Sequence, residues 1–317
     1  IHPTGVPILT PYNLGTAEGW SYETALDIEY AHTMAPDAKI LLVISPEAYD
    51  DLFVDVEYVV NNSLANFISM SWGLPEDAYY IPQIIYGYDE IFMQAAAEGI
   101  GAFAASGDTG AYDVYWFLMN MPMEPSVSYP ASDPWVTGVG GTSLFAQFVN
   151  GYVQRVETAW NWNPLIIQGT GGGYSFYFPE IPGQELISIP YEMQYVYEPD
   201  LGIWFNTVGM RGVPDIAADA DLDTGVLIVL NGAIVGPIGG TSLATPLTAG
   251  MAATMQSYLY GSGVDYAIGD LAPSMYLIYY YMPSEVYVSN VTITSSSFFT
   301  GISGAMFPTL GGDNGLY

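Results

Sequence analysis

The sequence predicts an α/β fold: one domain with a mostly parallel central sheet and helices on both faces. Three observations carry this. Helix-length segments alternate with short apolar runs, at residues 39–44, 67–71, 100–105 and 135–140, as in a sheet buried on both sides. Half of the 317 residues are apolar and 15% are aromatic, enough for a sizeable core. No period repeats along the chain, so a single domain accounts for it better than an array.

In chain order, residues 1–18 are rich in Pro, Gly and Thr and read as an extended lead-in. Residues 21–35 read as a helix, with Ser21 as N-cap and Ala35-Pro36 as its stop. The apolar run 39–44 reads as a strand, 51–61 as a helix, 67–71 as a strand, 86–99 as a helix and 100–105 as a strand. Ser106-Gly107-Asp108-Thr109-Gly110 follows that strand directly, where the carboxyl ends of parallel strands collect active-site loops. After the strand at 135–140, residues 145–206 read as loop-rich and aromatic, with Gly171-Gly172-Gly173 inside. Residues 225–235 read as a strand pair about an Asn231-Gly232 turn. Residues 243–260 are rich in Ala, Met and Leu and read as a buried helix. A short helix around 274–281 precedes a Ser/Thr/Gly-rich end.

Charge narrows the function. Three Lys and Arg against 33 Asp and Glu give a formal charge of −30 at pH 7. Almost nothing basic is present to neutralise phosphates, so nucleic acid and anionic lipid are poor partners. No apolar run reaches the roughly 20 residues of a membrane span. In acid the picture reverses: with the carboxylates protonated, only the three Lys and Arg and two His carry charge, and self-repulsion nearly vanishes. The composition therefore points to strongly acidic surroundings. There is no cysteine, so an exported chain of this kind is held by packing, or by packing and a metal, rather than by disulfides. Asn61-Asn62-Ser63 and Asn290-Val291-Thr292 are glycosylation sequons.

The chemistry concentrates at Gly239-Gly240-Thr241-Ser242. Two glycines turn the backbone and set Ser242 at the start of the long helix. Free N–H groups and the helix dipole there favour an alkoxide or oxyanion, as a nucleophilic serine requires. The alternative is that Thr241 or Ser242 caps the helix. Histidine offers little as a base, since His2 stands at the chain end and His32 lacks the Gly-Thr of a subtilisin-type motif. Carboxylates are the remaining partners. Glu23 and Asp27, four apart on the first helix, share a face, and close carboxylates share a proton and push one pKa up. In a chain with 33 acids the pair is equally open to coincidence. Asp108 is either a turn former or a carboxyl directed into the site. Asp-Thr-Gly also matches the aspartic proteases, but the β-rich setting and second copy they need are absent from the sequence.

Seven blocks, in order, resemble the sedolisin family, the serine-carboxyl peptidases. They begin with Glu23-Thr-Ala-Leu-Asp27-Ile-Glu-Tyr-Ala-His, Ile68-Ser-Met-Ser-Trp-Gly73 and Ser106-Gly-Asp-Thr-Gly-Ala111. Tyr129-Pro-Ala-Ser-Asp133 through Leu144, Gly171-Gly-Gly-Tyr-Ser175, Arg211-Gly-Val-Pro-Asp215 and Gly239-Gly-Thr-Ser242 complete the series. The resemblance spans residues 19–275 or so and implies a subtilisin-like fold in which carboxylates replace the histidine. By that resemblance Ser242 is the nucleophile, Glu23 the general base, Asp27 its supporting acid, and Asp108 the protonated acid of the oxyanion hole. Ser71, Trp72 and Gly73 would receive the substrate backbone as an added strand. The expected activity is endopeptidase hydrolysis of polypeptides through an acyl-enzyme, secreted and active in acid.

Two departures from the family carry consequences. The family has a strand and several tens of residues before its Glu/Asp helix, where 22 residues stand before Glu23. This implies an upstream segment or propeptide as a partner. The family's Ca²⁺ site near the carboxy terminus is matched in its second half by Gly311 and Asp313. In the first half, Asn290 and Val291 stand where the pattern has Asp and Ile, and a neutral ligand weakens Ca²⁺ binding. The competing reading is a catalytically silent surface or assembly protein on the peptidase fold.

Overall fold

A computed structural model describes residues 1–5, 14–78, 82–111, 125–149, 152–161, 168–187, 195–198 and 203–281. Its centre is a parallel sheet in the order β1 (Phe67–Met70), β3 (Gly101–Ala105), β5 (Val136–Val149), β11 (Ile216–Asp219). β6 (Tyr152–Ala159) turns back antiparallel on the far half of β5. β3 shows why helices must cover both faces. All five of its residues are buried, and they alternate sides as a strand dictates. Ala102 and Ala104 pack with Phe53, Val56 and Val60 of α2 (Asp50–Asn61) and Ile85 and Phe92 of α3 (Pro82–Ala97). Phe103 packs on the other side with Ala244, Ala249 and Ala252 of the long helix α4 (Thr241–Gly261). Small residues on α4 let it lie close against all four parallel strands.

A layer outside the sheet completes the frame. α1 (Leu14–Met34) packs along α4, closely enough that a side chain at Gly250 would meet Ala31 O at 2.8 Å. The hairpin of β12 (Val226–Leu230) and β13 (Ala233–Ile238) leans on α1. Its Val229 N–H donates to both carboxylate oxygens of Glu29, and Tyr30 Oη donates to Leu227 O at 2.8 Å. The Asn231-Gly232 turn closes with both residues at positive φ, 53° and 77°, the geometry that Asn-Gly favours. α5 (Ala272–Tyr281) lies near the other end of the sheet, where Tyr276 Oη donates to Asp215.

Three expectations are corrected. α1 begins at Leu14 rather than at Ser21, so the lead-in is shorter and Ser21 lies inside the helix. Gly15 and Gly19 weaken a helix without ending it, so the helical backbone continues through them. Residues 39–44 do not form a strand. Their backbone meets only Ile1 among the described residues, through Ile1 N–H to Leu42 O and Ile44 N–H to Ile1 O, and one residue cannot supply a ladder. The stretch 145–206 is not mainly loop. It contributes the second half of β5, β6, β7 (Gly173–Pro179), β8 (Tyr195–Glu198) and β9 (Ile203–Asn206). These are hairpins and an outer pair, whose alternation is diluted by aromatic residues on both faces.

Candidate active site

The parallel strands deliver their carboxyl ends to one rim of the sheet. Ser71 follows β1, the 106–108 loop follows β3, and α4 starts beside them. Gly240 occupies the N-cap position of α4 at φ +94°, a conformation that glycine adopts freely. A Cβ there would lie 2.8 Å from Asp108 Oδ2. Neither Thr241 nor Ser242 is the cap. The first amide of α4 is satisfied from another element: Thr241 N–H donates to Asp108 Oδ1 at 2.7 Å, and Thr241 Oγ1 donates to the same oxygen at 2.8 Å. Gly107 N–H closes the knot on Thr241 Oγ1 at 3.2 Å. Ser242 is thereby held one residue past a capped, pinned turn.

Glu23 and Asp27 reach this turn from α1. The hydroxyls of Ser242 and Ser71 lie close enough to act on the Glu23 carboxyl, whose pKa is pushed up to about 7 by burial, with the Asp108 charge adding to it. Glu23 Oε1 is buried with no hydrogen-bond partner among the described residues. Asp27 is raised well above the usual carboxylate range by burial and by the neighbouring Glu23. Ser71 Oγ donates to Asp27 Oδ1 at 2.6 Å and lies 3.2 Å from Ser242 O. Asp108 is also raised by burial, against the two Thr241 hydrogen bonds that lower it. The like-charge pair on α1 is therefore not coincidental placement on a solvated face. It sits in the wall of the site.

The three substrate-strand candidates separate by role. Ser71 turns its side chain into the carboxylate network. Trp72 packs edge-on against Phe53, ring centroids 5.0 Å apart. Gly73 is forced by space, since a Cβ would lie 2.5 Å from Ser128 Oγ and 2.8 Å from Tyr129 O. Residues 71–73 belong to no strand; β2 (Leu74–Pro75) pairs with β4 (Ser128–Tyr129) only after them.

Sequence reasoning missed several supports. Thr241 positions Asp108, and only its place next to Ser242 hinted at it. Gly171 approaches Ser106 so closely that a Cβ would overlap Ser106 O at 1.9 Å. Gly171 N–H donates to Gly107 O at 2.7 Å, fixing the loop that carries Asp108. Glu76, just past the 71–73 segment, is fully buried and accepts from Ser175 Oγ at 2.6 Å and Phe176 N–H at 2.8 Å. His2 and His32 are exposed and act on none of the three acids. Asn290, Val291, Gly311 and Asp313 lie outside the described residues. Among the described residues no cluster of His, Asp and Glu fits a metal, and no helix is long and apolar enough to cross a membrane.

Similar proteins share this arrangement of chain. The Subtilase family model matches residues 15–271. Kumamolisin of Bacillus sp. (strain MN-32) is 35% identical over 277 residues, which is 86% of this chain and 44% of that protein. Sedolisin of Pseudomonas sp. (strain 101) is 36% identical over 202 residues, 62% of this chain and 31% of that protein. The chain thus spans less than half the length of either relative. A solved Pseudomonas sedolisin, a serine-carboxyl proteinase complexed with two molecules of pseudo-iodotyrostatin, superposes with a TM-score of 0.66 at 29% identity. That match covers 93% of this chain and 72% of the sedolisin chain.

Proposed function

Because this chain belongs to the sedolisin family, we propose that it is an acid-active serine endopeptidase working through Ser242, Glu23 and Asp27. The observation that carries the reading is the convergence of a buried, unpartnered Glu23 oxygen and the Ser242 hydroxyl at the capped start of α4. In acylation, Ser242 Oγ attacks the substrate carbonyl carbon while Glu23 takes the hydroxyl proton. The C–N bond then breaks and Glu23 returns that proton to the leaving amine. Water repeats the sequence on the acyl-enzyme, releasing the acid and restoring Ser242. Asp27, which accepts the Ser71 hydroxyl, holds Glu23 and takes on the proton that Glu23 receives. Asp108, protonated in acid, donates to the oxyanion. An extended polypeptide lying along Ser71, Trp72 and Gly73 presents its carbonyl to this group.

The strongly acidic composition supports an extracellular, acidic setting for this chemistry, and the family supports a propeptide or upstream segment as partner. The test is hydrolysis of denatured haemoglobin from pH 1 to 8 by wild type and Ser242→Ala. Cleavage confined to acid and abolished in the variant is expected. Undiminished cleavage by Ser242→Ala would discard the serine, and inactivity of a folded wild type would favour the silent assembly protein. The reading extends to Ca²⁺ held by the Asp313 carboxylate, with Gly311, Asn290 and Val291 supplying carbonyl-type oxygens. A chelator is then expected to lower the Tm and added Ca²⁺ to restore it; an unchanged Tm discards the calcium site.

A further inference from the structure

Glu76 is a fully buried carboxyl that no step of the reaction uses. Its backbone is a fixed post. The two residues before it pair with β4, Leu74 with Tyr129 and Pro75 with Ser128, and its own N–H donates to Val127 O at 3.0 Å. The side chain leaves this post and crosses to β7. Ser175 Oγ donates to Glu76 Oε1 at 2.6 Å, and Phe176 N–H donates to Oε2 at 2.8 Å.

β7 needs such a partner because its ladder is broken there. Among the described residues it pairs only with β10 (Met210–Val213). Tyr174 pairs with Gly212 and Pro179 with Met210, so five steps along β7 face two along β10. The amides in that gap cannot all find carbonyls across the ladder, and a buried amide without an acceptor is unfavourable. Glu76 accepts Phe176 N–H, while Ser175 Oγ accepts Tyr177 N–H at 3.0 Å and Phe178 N–H at 2.9 Å. The Ser175 hydroxyl is itself oriented by the bond it donates to Glu76. The carboxyl therefore fixes the first half of β7.

That matters just upstream. β7 opens at Gly173, and Gly171 lies against the loop that carries Asp108. Gly171 N–H donates to Gly107 O at 2.7 Å, and Gly171 O accepts Ser106 Oγ at 2.9 Å. The approach has no slack, since a Cβ on Gly171 would overlap Ser106 O. We propose that Glu76 is a positioning residue for the reaction: through Ser175 and the start of β7 it seats Gly171 on Gly107, and so holds Asp108 where it meets Thr241. The inference rests on the peptidase reading and on the oxyanion role given to Asp108. Residues 71–73 are anchored separately, through the pairing of β2 with β4, so substrate binding along them does not depend on the carboxyl.

The test compares Glu76→Ala, Glu76→Gln and Ser175→Ala with wild type. Peptide hydrolysis is measured at pH 4, the Asp108 carboxyl is titrated by ¹³C NMR without any turnover, and urea midpoints are read alongside. Glu76→Ala and Ser175→Ala are expected to lower kcat on the order of 10- to 10²-fold, the effect of a small misplacement at a distance. KM should hardly change, because an oxyanion donor acts in the transition state alone. The Asp108 titration should move in both variants, since burial and the two Thr241 donors set it. Burial, with Asp77 adding to it, pushes the Glu76 pKa up to about 7, so the group is neutral at pH 4. Glu76→Gln keeps its shape and an acceptor oxygen there and should recover most of kcat. Lower urea midpoints with kcat and the Asp108 titration unchanged would overturn the proposal, and so would a loss carried by KM alone. Should Glu76→Ala fail to fold, Ser175→Ala decides by the same readouts. If wild type hydrolyses nothing while the Asp108 titration still moves in the variants, the positioning role stands and the peptidase reading is lost.

Discussion

The two oxygens of Asp108 face different groups. Oδ1 accepts both Thr241 donors, while Oδ2 is the atom nearest to a side chain placed at Gly240. A proton on Oδ2 can therefore be donated without loosening the cap of α4. This division gives the proposed oxyanion role a pH sign. The role needs the proton, so it is lost as pH rises through the raised pKa of Asp108; Glu23 as base needs its charge and works against the acid end. Asp108→Asn keeps an acceptor for Thr241 and a donor that does not titrate. We expect it to retain measurable kcat/KM and to shift the alkaline limb of the profile upward. Asp108→Ala should lose on the order of 10²–10³ in kcat, as loss of one oxyanion donor does. If Asp108→Asn lost activity over the same pH range as wild type, Asp108 would not be the group that sets that limb. Gly240 shows how such a site hides in sequence: the glycine reads as a turn, but its reason is a carboxylate 133 positions from Thr241 in the chain.

At the scale of elements, what could be read locally was read. α2, α3, α4 and the Asn231-Gly232 hairpin lie close to their expected places because each carries its own signal, whether apolar periodicity, an alanine-rich run or a turn dipeptide. The failures are where a partner decides. Residues 39–44 have strand composition, but a strand requires a neighbour's N–H and C=O groups, and among the described residues only Ile1 offers them. The start of α1 lies seven residues before the Ser21 signal, and the helical backbone passes Ser21 as an interior position. The cap of α4 itself comes from the loop after β3. In the same way Glu29 belongs to no catalytic face of α1 and instead receives the β12 backbone. The acids were visible in the sequence; which of them meet was a property of the packing. The family blocks closed that gap for Ser242, Glu23, Asp27 and Asp108, and could not do so for Glu76 or Thr241.

For the molecule as a whole, the unusual feature is how its charges are buried. Arg211, one of three basic residues, is fully buried and grips Asp215 with two nitrogens, at 2.6 Å and 2.5 Å. Among the described residues the other buried acids make no ion pair of their own, although the Arg211 charge reaches Asp133 and Asp270. Burial pushes Glu76 up to about 7, against the Ser175 and Phe176 donors, with Asp77 adding to the rise. Burial likewise pushes Asp219 and Asp270 up to about 6, and raises Asp133, which faces Asp89, well above its usual range. A carboxyl whose folded pKa is raised stabilises the fold fully below its unfolded pKa and loses that contribution as pH rises through the folded value. Every one of these groups has that sign. Stability should thus be greatest below about pH 4.5 and fall between about pH 5 and 7.5, the reverse of ordinary acid denaturation. Glu76 isolates the effect, being buried, clear of the catalytic group and joined to β7 through Ser175 and Phe176. Its rise from 4.5 to about 7 corresponds to roughly 3 kcal/mol. Urea unfolding at pH 4 and pH 7 should show the Glu76→Gln variant losing less stability than wild type across that interval, by an amount of this order. Parallel losses in the two proteins would mean that Glu76 is already ionised in the fold and does not contribute to the acid preference of the molecule.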